Sequence, residues 1–268
     1  MAGGLRCRTS RIALALIGVG VALCGCAAVL VWRDHQTAAA YGNLADASSI
    51  TASASAGKSD STDQKKDKKS NGRKIDWDAL RKQNPDVAAW VQVDGTDVDL
   101  PVVAPADKDM YRYLKQDFWG NWSISGCPFL DDRSSAVGPH SMSFGHHMGN
   151  IGGMYSDIFQ CFHQEEFDRL GTCRWYTPDG GCEKLEPLFA MSVGQSYPEI
   201  QRFSFANQKD MQGWLEQLVE QSDAHAKKAK EACAHVGHVV TLVTCSSIWA
   251  NQPYRTLVVF GDRVATKG

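Results

Sequence analysis

The first feature of the chain is an uninterrupted apolar run from Ile12 to Trp32, IALALIGVGVALCGCAAVLVW, without a charged side chain. As a helix it would be about 31 Å long, matching the hydrocarbon thickness of a bilayer. Arg6, Arg8 and Arg11 precede it, while Arg33 is followed at once by Asp34. The positive-inside rule then puts residues 1–11 in the cytoplasm and all that follows outside. A cleaved signal ending near Ala38-Ala39-Ala40, or a lipoprotein signal at Leu23-Cys24-Gly25-Cys26, fits less well than an uncleaved transmembrane anchor over 12–32. Residues 33–73 are polar, rich in Ala, Ser, Thr, Asp and Lys. They offer too little apolar surface to offset the entropy of ordering, which predicts a flexible linker.

From residue 74 to 268 the pattern changes to short alternating or β-branched runs bounded by turn residues: Trp90–Val93, Val98–Val103, Cys127–Leu130, Ser141–Phe144, Cys173–Thr177, Leu185–Val193, Val239–Cys245 and Arg255–Val264. Their spacing predicts a mainly antiparallel sheet or barrel. A short helical stretch, Asp76 to Ala89, is interrupted at Pro85, with Asp76 as its N-cap. One long helix is expected from Asn207 to Ala234, because Met211, Trp214, Leu215, Leu218 and Val219 recur at helical spacing.

Composition and charge change little. Lys and Arg number 28 against 30 Asp and Glu, so a nucleic-acid binder is not expected. Seven basic and three acidic residues between Lys58 and Lys74 read as a solvated linker.

The cysteines carry more. Of nine, Cys7, Cys24 and Cys26 lie in or before the apolar run. No Cys-x-x-Cys occurs, and Cys161, His163, Cys173 and Cys182 lack a zinc spacing, so no metal or cofactor is expected. A Cys173–Cys182 bridge across the Pro178–Gly181 turn, or other pairings among Cys127, Cys161, Cys173, Cys182 and Cys233, stay open.

Cys245 ends a strong β run, and Arg255 starts the next one. If the two strands are neighbours, thiol and guanidinium emerge at one end of the sheet as a nucleophile with an electrostatic partner. The same residues also fit a buried cysteine beside a rim arginine. A nucleophile needs an acid–base partner. His235 and His238 lie at the wrong end of the same strand, His238 about 23 Å away. His35 falls in the linker and His225 in the polar end of the long helix. His140, His146, His147 and His163 remain, and in extended chain only one of His146 and His147 can face the site.

Thr241-Leu242-Val243-Thr244-Cys245 matches the Thr-Leu-x-Thr-Cys signature of sortases, and Phe144-Gly145-His146-His147-Met148 resembles the segment with their catalytic histidine, the one after Gly. Arg255 falls where the family's arginine follows the cysteine. The resemblance extends over Trp90–Val103, Gly126–Arg133 and Gly153-Met154-Tyr155. The N-terminal helical segment and the helix before the cysteine strand resemble class B. Val243 and Phe144 stand where the family often has Ser and Tyr, and Met110 where class B has a substrate-contacting Asn before Leu114.

The resemblance implies an eight-stranded barrel, with Cys245, His146 and Arg255 catalytic and Leu114, Thr244, Ser246 and Ile200 along the substrate groove. It implies transfer of a secreted protein with a C-terminal sorting signal, Asn-Pro-x-Thr-Asn-like or Leu-Pro-x-Thr-Gly-like, to a peptidoglycan amine at a Gram-positive-type cell surface. The Ser246 backbone N–H is expected beside Arg255 at the oxyanion. Two alternatives stand: a pilus-polymerising sortase with a pilin lysine as acceptor, and a non-catalytic surface module on a sortase-like barrel.

Overall fold

A computed structural model describes residues 3–50, 73–149, 152–247 and 253–262. A long helix, α1 (Gly3–Ala47), comes first. Two-residue strands β1 (Ser49–Ile50) and β2 (Lys74–Ile75) then pair antiparallel, and α2 (Trp77–Gln83) follows. The Asp76 carboxylate caps α2 by accepting from Ala79 N at 2.9 Å, and the chain turns extended just past Pro85, which cannot continue a helix.

β3 (Val87–Val93) and β4 (Asp99–Val103) form a hairpin, and a 3-10 turn covers Met110–Leu114. β5 (Phe129–Leu130), β6 (His140–Phe144), α3 (Gln164–Phe167), β7 (Cys173–Thr177) and β8 (Gly181–Gly194) come next. α4 (Gln208–Gln221), β9 (Ala224–His225), α5 (Ala229–Cys233), β10 (Val239–Cys245) and β11 (Tyr254–Asp262) complete the order. The sheet runs β11-β10-β6-β5-β4-β3-β7-β8-β9, and a β11–β8 pairing closes eight of these strands into a barrel. Pairings are antiparallel except β4–β5 and β6–β10.

β10 shows why the cysteine strand is apolar without a break: both of its faces are covered. Val240 and Leu242 join the cluster inside the barrel with Trp90, Trp175 and Phe260. Val239 and Val243 join a second cluster outside it, with Leu257 of β11 and Leu215 and Leu218 of α4. Alternation along the strand thus sorts side chains between a barrel core and a helix-covered outer layer.

Three expectations change, the first being the helical stretch over Asp76–Ala89, which ends at Gln83 ahead of Pro85 so that Val87–Ala89 already lie in β3. The single helix over 207–234 is two helices, because the apolar periodicity of α4 stops at Val219. Ala224 and His225 instead pair with Ala190 and Phe189 at the edge of β8. The expected linker is ordered at both of its ends. α1 continues through Ala47, and Tyr41, Leu44 and Ala45 are buried against the barrel. From the other side, Arg73 bonds the Ala45 carbonyl, Ser48 Oγ and Asp99. Residues 51–72 of the expected linker lie outside the described residues. Among the described residues no helix is long and apolar enough to cross a membrane.

Cys24, Cys26, Cys127, Cys161, Cys173, Cys182, Cys233 and Cys245 are all free thiols. The β7–β8 register explains the lack of a hairpin bridge, since Cys173 faces Leu185 and Cys182 faces Tyr176.

Candidate functional site

The register of three adjacent strands assembles the site. β10 and β11 are antiparallel with Cys245 directly opposite Arg255. Ser246 N donates to Tyr254 O at 3.3 Å, so the 246–254 pair is hydrogen-bonded and the 245–255 pair is not. Non-bonded pairs bring Cα atoms to about 4.5 Å, with both side chains on one face. On the other flank β6 runs parallel to β10, with Phe144 beside Val243. Gly145 N continues the ladder onto Val243 O at 3.0 Å. Carried two residues beyond the Phe144–Val243 pair, that register would bring His146 level with Cys245, and period-2 alternation would give both the face of Phe144 and Val243.

That face is the outer one, where the helix-covered layer ends. There a groove is lined by His146, Cys245 and Arg255 together with Leu114, Tyr111, Phe144, Val193, Tyr197, Ile200 and Leu257. The groove therefore holds the expected sulfur, imidazole and guanidinium on three neighbouring strands. Cys245 is half-buried, and His146 remains partly exposed. The Leu114 carbonyl lies 2.9 Å from His146 Nε2 and so accepts the Nε2–H, leaving Nδ1 for another partner. Arg255 Nη1 donates to Tyr254 O at 3.0 Å.

His147 alternates to the other side. Its ring stacks on Phe159 with centroids 4.0 Å apart, and its Nδ1 is buried with no hydrogen-bond partner among the described residues. Burial lowers its pKa, partly offset by the Cys245 carbonyl. The adjacent histidines thus separate as the alternation requires, with His146 in the groove.

The expected substrate contacts divide. Leu114 lines the groove and is 36% exposed, whereas Ile200, at 1%, forms its floor. Thr244 borders the groove but alternates away from Cys245; it is buried, and its Oγ1 has no partner among the described residues. Ser246 departs from expectation twice. Its N–H already donates to Tyr254 O, which removes it as an oxyanion donor in this structure. Its hydroxyl lies 3.0 Å from Thr256 Oγ1, which donates to the Phe159 carbonyl, and 3.4 Å from Ser192 Oγ. That chain ties β8, β11 and the Phe159 turn together.

The sequence reading gave no role to Asp131 and Arg133 at the groove wall. Burial would raise the Asp131 pKa, but the Arg133 guanidinium, at 2.6 and 2.8 Å, holds it below the usual range. Arg133 also reaches Gln201 Oε1 at 3.0 Å. The Asp131-Asp132-Arg133 triplet was visible, but only the fold brings it beside Gln201. Among the described residues no three His, Cys, Asp or Glu side chains cluster to hold a metal ion.

No family model matches the chain. Sortase B of Staphylococcus aureus (strain NCTC 8325 / PS 47) is 23% identical over 185 residues, covering 68% of this chain and 72% of that protein. A Cys-to-Ser mutant of Clostridium perfringens sortase B superposes with a TM-score of 0.60 at 24% identity, over 69% of this chain and 85% of the other. A Staphylococcus aureus sortase B–substrate complex gives 0.57 at 23%, over 69% and 82%. A Bacillus anthracis protein described as similar to sortase B gives 0.63 at 18%, over 85% and 96%. The closed eight-stranded barrel is the sortase fold, with a cysteine at the end of one barrel strand. The chain is thus similar to sortase B over about two thirds of its length and shares the class B-like sortase fold.

Proposed function

We propose that the enzyme cleaves a C-terminal sorting signal of secreted proteins after Thr and transfers the acyl group to a cell-wall peptidoglycan amine. The observation that carries this reading is the single groove lined by Cys245, Arg255 and His146, with Cys245 directly opposite Arg255. The Cys245 thiolate attacks the Thr carbonyl carbon and forms a carbon–sulfur bond. Arg255 stabilises the oxyanion with a fixed fork of donors. As the intermediate collapses, the carbon–nitrogen bond breaks and the departing amine takes a proton from His146. The acceptor amine then attacks the thioester and gives its proton to His146, and the sulfur leaves as thiolate. Because the thioester keeps the acyl group activated, the amide can be remade without another energy source.

Resemblance to class B favours an Asn-Pro-x-Thr-Asn-like signal over a Leu-Pro-x-Thr-Gly-like one. A pilin lysine would serve as acceptor by the same chemistry. We further propose a single-pass anchor with the barrel outside the cell. Its support is the uncharged run 12–32 within α1, whose Leu16, Ile17, Val21 and Leu23 side chains are 62–68% exposed.

The test is incubation of the full chain with a panel of sorting peptides and candidate amines, reading the Cys245 adduct by intact mass. A thioacyl adduct, lost in Cys245→Ala together with cleavage, is the expected result. Turnover persisting in Cys245→Ala would overturn the assignment. Transfer to a pilin-lysine peptide in preference to a wall-peptide amine would select the pilus reading.

A further inference from the structure

His146 is held from outside its own strand. Its Nε2 hydrogen bond goes to Leu114 O, at the end of the 3-10 turn, and the returning arm of that loop passes the imidazole at Gly126. Gly126 has φ +64° and approaches so closely that a Cβ there would lie 3.3 Å from His146 Cδ2 and 2.3 Å from Tyr113 O. The two arms are joined by Cys127 N donating to Tyr113 O at 2.9 Å. Asn84 Nδ2 steadies the far side through Phe118 O and the Tyr113 hydroxyl, at 2.8 and 3.0 Å.

The remaining support comes from α1, which belongs to no barrel strand. The Tyr41 hydroxyl donates to Gly126 O at 2.9 Å and accepts from Phe118 N at 2.9 Å. It therefore bridges both arms of the loop carrying the imidazole's acceptor. Its ring packs on Trp119 at 5.4 Å between centroids, and Leu44 and Ala45 bury the next turn of the helix. Burial raises the Tyr41 pKa far above its ordinary value, which keeps the hydroxyl protonated as a donor.

We propose that Tyr41 is a positioning residue for His146: α1, docked on the barrel, fixes the 110–127 loop and through it sets the imidazole against Cys245. The inference rests on the assignment of His146 as the acid–base group. It makes the segment next to the apolar run part of the machinery that aligns the site. A chain beginning at residue 74 would lack this contact and hold the imidazole less firmly.

The test is a double-mutant cycle on the full chain in mild detergent, with Tyr41→Phe, His146→Ala and the pair together. Tyr41→Phe keeps the ring against Trp119 and removes only the hydroxyl, so it is expected to fold; the circular dichroism melt checks this. The expected result is a kcat for peptide cleavage lower by about three- to tenfold, with KM within about twofold. The rate of Cys245 alkylation by iodoacetamide, read at that residue by peptide mass, should also fall in the wild-type background. In the His146→Ala background Tyr41→Phe should leave that rate unchanged, because the group it positions is gone. An equal effect in both backgrounds, or none in the wild type, overturns the proposal. His146→Ala retaining full cleavage would overturn the underlying site assignment instead, and the role of Tyr41 with it.

Discussion

His146 and His147 differ by one position in sequence and by a whole environment in the molecule. His146 faces the groove with its Nε2–H on a carbonyl. His147 lies against Phe159 with Nδ1 unpartnered among the described residues, and burial disfavours its charged form. A group that alternates between acid and base must be open to the substrate beside the sulfur, and of the two only His146 lines the groove that holds Cys245. His146→Ala is therefore expected to lower kcat/KM by about 10²–10⁴-fold, while His147→Ala acts mainly on stability. Steady-state peptide cleavage alongside thermal melts checks this, and the reverse ordering would move the assignment to His147. The motif alone favoured the histidine after Gly, and period-2 alternation supplied the physical reason that only one of the two could serve. Ser246 could not be read the same way. Its N–H and hydroxyl are taken up by Tyr254, Thr256 and Ser192 on other strands, which are partners the local sequence does not reveal.

At the scale of elements, the site depends on β6 and β10 keeping their parallel register past the last paired residues. Gly145 is the joint. A Cβ there would meet the Tyr155 ring at 2.6 Å, and that ring cannot retreat, being fully buried with its hydroxyl 2.8 Å from Ser143 Oγ. Gly145→Ala is expected to cost about 1–3 kcal/mol by overpacking, and to lower transfer by shifting the histidine turn. Urea unfolding measures the first effect and peptide cleavage the second; a variant as stable and active as wild type would mean that β6 has slack. The strands β7 and β10 were legible to the residue from their apolar patterns and flanking turns. α4 was legible, but its end was not. Nothing in Ser222–Lys228 breaks a helix strongly, and it is the open edge of β8 that draws Ala224 and His225 into a strand.

For the whole molecule, closure joins residues from opposite ends of the fold. His238, just before β10, bonds Glu183 of β8 through Nδ1 at 2.5 Å and meets Ser141 Oγ of β6 through Nε2 at 2.9 Å. The bond to His238 holds the Glu183 carboxyl below its ordinary pKa, against the smaller opposing effect of burial. A depressed carboxylate contributes stability that is present above its unfolded pKa, about 4.3, and is lost as pH falls through the lower folded value. Glu183 is 43% exposed, so solvent screening keeps the contribution below about 1 kcal/mol. Glu183→Gln should accordingly be less stable than wild type at pH 6, with the difference closing as pH falls below about 4. Urea midpoints over that range test it, and a gap that persists to pH 3 would show that the charge is not the cause.

The sequence by itself determined the strand-rich domain, the apolar run 12–32, and the candidate sulfur, imidazole and guanidinium. These rest on periodicity and on short motifs, which are local properties of the chain. Tertiary structure alone decided which groups around them are already occupied, that residues 34–47 continue a helix onto the barrel, and that Tyr41 bridges the loop behind His146. Those outcomes depend on partners in other elements, such as Gly126 for Tyr41 and Leu114 for His146, 85 and 32 positions away. A polar side chain in a polar stretch looks soluble until the fold supplies it with a buried carbonyl, and no pattern of neighbours along the chain encodes that encounter.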